Sequence, residues 1–167
     1  SLQPEIVGEV RVDAIYSAGI DLLNSIRAKF CQRYSSVRVR VEYKRPEEVH
    51  EAVRAGACDM GIVSFPQRWR DVSTTALRDE QMVIVCEPGH PMSGYPSVPA
   101  SALNGVHIVA FDADLPIAKR MRQYFREHEV NPVVVNEFDN VDTMKAAVSL
   151  THHVAVLPKR TVQRELE

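Results

Sequence analysis

Residues 37–65 read VRVRVEYKRPEEVHEAVRAGACDMGIVSF, and this stretch decides the fold. Val37, Val39, Val41 and Tyr43 alternate with Arg38, Arg40, Glu42 and Lys44, the period-two pattern of a strand with one buried and one wet face. At RPEEVHEAVRAG the period lengthens. Pro46 suits a first helical position, Glu47 and Glu48 favour the positive end of a helix, and Gly56 suits its stop. Val49, Ala52 and Val53 form the apolar stripe. CDMGIVSF then reads as a short, nearly all-apolar strand, which a parallel sheet covered on both faces requires. A strand, a helix and a second strand in this order imply a parallel pair joined by a crossover.

Upstream, VRVDAIY (10–16) places Val10, Val12 and Ala14 on one face and reads as another strand. Leu23, Ile26, Phe30 and Tyr34 then recur at helical spacing, with Ser17, Gly19 or Asp21 as cap candidates. The first 65 residues are therefore β-α-β-α-β. Downstream, QMVIVCE is a further strand ending at Glu87. Pro88, Pro91, Pro96 and Pro99, four of the chain's ten prolines, mark a connector. The pattern then repeats. GVHIVAF, NPVVVNEF and HVAVLP read as strands. A helix marked by Ile117, Met121 and Phe125 and a second over NVDTMKAAVSL separate them. Asn140 is the expected cap of the latter, with Val141, Met144 and Val148 as its stripe. The expected fold is α/β, with two Rossmann-like βαβαβ lobes joined by crossing strands. Lobe one spans 8–87, a hinge 88–99 and lobe two 100–157; 158–167 begins a return to lobe one.

The composition fits an ordinary soluble domain: 167 residues, 45% hydrophobic and 25% charged. The formal net charge of −2 speaks against a basic nucleic-acid binder. No apolar run approaches the ~20 residues of a bilayer crossing, and SLQPEIVGEV lacks the features of a secretory signal. Cys31, Cys58 and Cys86 are far apart and not in metal or redox spacing; three unpaired thiols fit a reducing cytosol and a cytoplasmic protein.

Two α/β lobes make a cleft, and in parallel sheets ligands sit beyond the carboxyl ends of the strands. The segments there are Tyr16-Ser17-Ala18-Gly19, Ser64-Phe65-Pro66, Phe111-Asp112-Ala113 and Asp139-Asn140-Val141-Asp142-Thr143. Ser17, Ala18 and Gly19 lead into one helix, and Asn140 and Thr143 open another; helix N–H groups of this kind hold anions. Phe65 and Phe111 are candidate apolar walls, with Ser64 and Asp112 beside them. The candidate ligand residues are thus Ser17, Ala18, Gly19, Ser64, Phe65, Phe111, Asp112, Asn140 and Thr143. Plain helix capping is the competing reading for Ser17 and Asn140.

Catalytic and metal motifs are absent from the sequence. Ser64 is not in GxSxG, Ser17 has no evident base partner, and neither GxGxxG nor a P-loop occurs. Asp112 and Asp114 read as a solvated turn. His152-His153 and Glu127-His128-Glu129 do not form a ligand set, because adjacent side chains point apart. His90 reads as a turn residue. Trp69, between Arg68 and Arg70, reads as a packed ring in a solvated loop. Lys119, Arg120, Arg122 and Arg126 read as the wet face of their helix. No cofactor, metal or catalytic residue is expected.

Taken in order, five segments resemble the effector-binding domain of LysR-type bacterial transcriptional regulators: GEVRVDAIYSAGIDLL, FCQRYSSVRVRVEY, EEVHEAVRAGACDMGIVS, DEQMVIVCEPGHPM and FDNVDTMKAAVSLTHHVAVLPKRTV. The resemblance covers nearly the whole chain and departs at Thr151-His152-His153, where the family carries a glycine-containing turn. It implies a two-lobed fold like that of class II periplasmic binding proteins, and a non-enzymatic sensor for a small organic anion. It also implies homodimers or higher homo-oligomers, and DNA contact only through an N-terminal helix-turn-helix that this sequence lacks. No membrane contact is implied. Family ligand contacts fall on Ser17, Ala18, Ser64, Phe65, Phe111 and Asn140. The family chain continues after TVQREL back to lobe one; this sequence stops at Glu167. A transport-type solute-binding protein and a small serine-dependent enzyme are the alternative readings.

Overall fold

The computed structural model describes residues 5–66 and 68–165, the side chains of 18–21 excepted. Its first unit is built from β1 (Gly8–Ala14), α1 (Tyr16–Arg33), β2 (Val37–Tyr43), α2 (Pro46–Arg54) and β3 (Met60–Ile62). The sheet order is β2-β1-β3, all parallel. Val37 is buried while Arg38 and Arg40 are exposed, as the alternation in β2 requires. Val12, Ala14 and Leu23 form the buried centre, packed by Val10, Val39, Val41, Tyr43 and Ile62.

α2 starts at Pro46. The backbone N–H of Arg45 donates to Glu48 Oε2 at 2.9 Å, closing the first turn. Val49 and Ala52 are buried. The helix stops at Gly56, whose φ of +67° suits glycine alone without strain. Gly61 has the opposite reason to be glycine. A Cβ there would lie 2.7 Å from Val49 Cγ1 and 2.9 Å from Val53 Cγ2. The absent side chain lets α2 close onto β3, and the Arg11–Asp59 ion pair at 2.9 Å fastens the intervening loop to β1. β3 is shorter than the expected CDMGIVSF strand, and Met60 is half exposed. It pairs with β1 over three residues at the sheet's edge, and its Met60 and Gly61 are exposed where a doubly covered strand was expected.

The second unit holds β4 (Met82–Val85), β5 (His107–Phe111), α3 (Pro116–Glu127), β6 (Val133–Phe138), α4 (Val141–Thr151) and β7 (Val154–Pro158). Short 3₁₀ turns cover Ala100–Leu103 and Lys159–Glu165. The order is β4-β7-β5-β6, with β5 parallel to both neighbours and β4 antiparallel to β7. β6-β5-β7 thus repeats the order and direction of β2-β1-β3, so the two βαβαβ halves expected from the sequence are present. Both faces of the central strands are covered. Val109, Met144, Val148 and Leu157 lie on one side; Leu103, Ile108, Val130 and Val154 lie on the other.

The chain divides into Ser1–Thr75 and Ala76–Glu167, which differs from the expected boundary at 88–99. β4, assigned above to lobe one, pairs with β7 from Met82↔Pro158 to Val85↔Ala155. The proline-rich 88–99 segment belongs to the second unit as well, since Cys86, Met92 and Ala100 pack against its core. Residues 159–165 also stay there. Val162 is buried in that core, and Lys145 Nζ reaches Thr161 O at 3.1 Å and Glu165 Oε1 at 2.6 Å. At Thr151-His152-His153, where the resemblance implies a glycine-containing turn, His152 itself takes the left-handed conformation (φ +58°) that ends α4, and its ring pairs with Glu87.

Candidate functional site

In each unit the expected ligand residues sit at the carboxyl ends of parallel strands. In the first, β1 ends at Ala14 and α1 begins at Tyr16, leaving one residue for the turn. Ile15 is therefore the N-cap, in an extended conformation, and its apolar side chain cannot cap. This corrects the expected start of α1 at Ser17, Gly19 or Asp21. Ser17 is the second residue of the helix and is half-buried. The first N–H groups of α1 thus emerge from the end of β1 with no capping side chain from Ile15. Ala18 and Gly19 belong to the same helix; the surroundings of both lie outside the described residues. The N–H of Ile15 donates to Ile62 O at 3.0 Å, so β3 ends beside β1. Ser64 follows, half-buried, then Phe65, which is exposed and has a φ of +52°.

In the second unit, Asp112 N–H donates to Phe138 O at 2.9 Å and brings together the ends of β5 and β6. Asp112 is a half-buried turn residue whose carbonyl accepts from Leu115 N–H at 3.0 Å, and Asp114 is exposed. Phe111 is not a wall. It is 6% exposed and packs in the core with Leu115, Val141 and Met144, because its side chain shares a face with Val109. Asn140 caps α4: its Oδ1 accepts from Thr143 N–H at 2.9 Å. Asn140 and Thr143 are both exposed. Ser17, Ser64 and Phe65 therefore gather at one sheet end, and Asp112, Asn140 and Thr143 at another, with Phe111 beneath the latter.

Two features at the first sheet end carried no local signal. Asp13 is 3% exposed and accepts from Lys44 Nζ at 2.6 Å, and Lys44 also meets Glu42 at 3.1 Å. The bond to Asp13 raises the Lys44 ammonium above the usual lysine range, with Glu42 adding to it. The hydrogen bond from Lys44 and the charge of Arg40 hold Glu42 below the usual carboxylate range. Lys44 is thus matched by two carboxylates already. Tyr16 stacks on Tyr43, ring centroids 5.8 Å apart.

The remaining candidates are structural. Trp69 is half-buried, with the Arg54 guanidinium 4.2 Å above its ring. Lys119, Arg120 and Arg126 are exposed, and Arg122 donates to Ala113 O at 2.9 Å. The Nδ1 of His90 accepts from Met92 N–H at 3.1 Å within a turn. His107 and His153 meet edge to face, but among the described residues no three His, Cys, Asp or Glu side chains are grouped as metal ligands. Burial pushes the Cys58 thiol up, with Asp13 adding to it, and burial likewise raises Cys86. No described helix is long and apolar enough to cross a membrane.

The family model described as "LysR substrate binding domain" matches residues 4–167. The chain belongs to this family. Among LysR-type relatives, a "Probable hydrogen peroxide-inducible genes activator" of Mycobacterium avium is 29% identical over 91 residues, covering 54% of this chain and 29% of that protein. The chain therefore spans only part of the length of the curated regulators it matches. Two solved LysR-type domains share the two-lobed, periplasmic-binding-protein-like fold. The effector binding domain of QuiR in complex with shikimate has a TM-score of 0.86 at 15% identity, covering 96% of this chain and 78% of that one. The regulatory domain of CcmR from Synechocystis PCC6803 in complex with 2-PG has a TM-score of 0.82 at 21% identity, covering 93% and 74%. The family to which the chain belongs is described as a substrate binding domain, and the relatives it matches are named as transcriptional regulators or activators.

Proposed function

We propose that this chain is the cytoplasmic, non-enzymatic sensor of a DNA-binding regulator, and that its effector is a small organic anion, a carboxylate in the simplest case. The observation that carries the reading is the start of α1. Its N–H groups emerge directly from a parallel strand, and the N-cap Ile15 has no polar side chain to occupy them. Such a terminus favours negative charge. The contacts proposed in the first unit are Ser17, Ala18, Gly19, Ser64 and Phe65; those proposed in the second are Asp112, Asn140 and Thr143, with Phe111 supporting the latter from the core. Family membership supports the effector role, and the solved relative that holds shikimate, a carboxylate, supports the ligand class. Binding changes the geometry of a homodimer or tetramer by favouring one arrangement over another, and DNA is met through a separate helix-turn-helix.

The test is a thermal-shift screen of organic acids, amines and neutral metabolites. At a hundredfold excess over its Kd, a ligand adds about 2.7 kcal/mol. For a chain of this size that raises Tm by roughly 5–11 °C. Stabilisation by acids supports the reading; stabilisation by amines or neutral compounds alone refutes it.

A further inference from the structure

The three parallel strands of the first unit end level with one another. Ala14 is in register with both Tyr43 and Ile62, and two backbone bonds hold the ends together: Ile15 N–H to Ile62 O at 3.0 Å and Lys44 N–H to Ala14 O at 2.9 Å. An aromatic side chain follows or closes each strand: Tyr16 after β1, Tyr43 at the end of β2 and Phe65 beyond β3. Tyr43 packs against the core of the unit and supports Tyr16, whose ring lies at an interplanar angle of 27° to its own. Tyr16 itself is 59% exposed and Phe65 49%. Phe65 is also held at positive φ, which costs a bulky residue and is a mark of functional positions.

We propose that this aromatic rim selects effectors that carry a flat, unsaturated ring beside the carboxylate. The proposal rests on the anion reading above and adds the part of the molecule that the charge does not define. Tyr43 stacks on Tyr16 while Tyr16 stays 59% exposed, so an entering ring extends an existing stack. Stacked rings prefer an offset arrangement, which flat π systems make and puckered saturated rings do not. Lys44 contributes no pairing to the ring, because Asp13 and Glu42 already hold it. The selectivity therefore falls on Tyr16 and Phe65.

The experiment is calorimetric titration of the full chain with benzoate, cinnamate and naphthoate, each paired with its ring-saturated counterpart of the same charge. The expected result is binding of the unsaturated member about three- to tenfold tighter, the range one aromatic pair supplies. Tyr16→Ala should abolish that preference, and Tyr16→Phe should keep it. Equal affinities within each pair overturn the ring selectivity and leave the anion reading standing. A preference that survives in Tyr16→Ala overturns the rim as its source. No binding by any of the acids overturns the ring selectivity and leaves the anion reading to the thermal-shift screen.

Discussion

Lys44 donates to Asp13 at 2.6 Å across neighbouring parallel strands, and Asp13 is the one buried charged residue among those described. Removing one partner of such a pair strands the other, whereas removing both does not. Lys44→Met is therefore expected to lower the denaturation midpoint more than the double variant Asp13→Asn/Lys44→Met. Urea unfolding followed by the fluorescence of Trp69, which lies in the same unit, measures both.

Gly61 defines how closely α2 approaches β3. Gly61→Ala drives a methyl group into Val49 and Val53, whose branched side chains have little rotamer freedom in a helix. The expected destabilisation is about 1–3 kcal/mol, the usual cost of overpacking. A neutral outcome in urea titrations would mean that α2 slides away without loss.

The first unit has ionisable groups displaced in both directions. Asp59, bonded to Arg11, and Glu42 sit below the ordinary carboxylate range. Their contribution is present above that range and is lost as pH falls through the lowered values. Lys44 and Cys58 are raised. Their contribution is complete below the ordinary lysine and thiol values and is lost as pH rises through the raised ones. Trp69-monitored stability should therefore be flat near neutrality and fall at both ends, with the acid limb weakened in Arg11→Ala.

The two units have cores of different size. Val12, Ala14 and Leu23 are the buried centre of the first sheet, whereas the second has fully covered strands with Val109, Val154, Ala155 and Leu157 at 1% exposure or less. Backbone amides of β1 and β2 should exchange with deuterium faster than those of β5 and β7, because opening follows the local density of buried contacts. Equal protection would contradict this.

Much of the fold was legible because it was local. The valine alternation of β2, the Pro46 start of α2 and the Asn140 cap of α4 each depend on a few neighbouring residues, and each lies where the sequence put it. Long-range pairing was not legible. Nothing in MVIV says that it will lie against VAVLP rather than beside β1–β3, since both sheets offer apolar strands. Asp13–Lys44 depends on a register, Asp13↔Glu42, that no local pattern states. Phe111 marks the correct strand end, but the alternation of side chains turns its ring into the core. The α1 start was missed because polar residues are the usual caps, and here a one-residue turn put Ile15 in that place.

The anion reading is tested most directly by amide chemical-shift mapping with the organic acid that stabilises the chain best. The account predicts that the largest changes fall on the N–H groups of Tyr16, Ser17 and Ala18, with further changes at Ser64 and Phe65, and that Ser17→Trp removes them while the rest of the spectrum stays folded. Saturable changes that leave the start of α1 untouched, or that survive in Ser17→Trp, would contradict it.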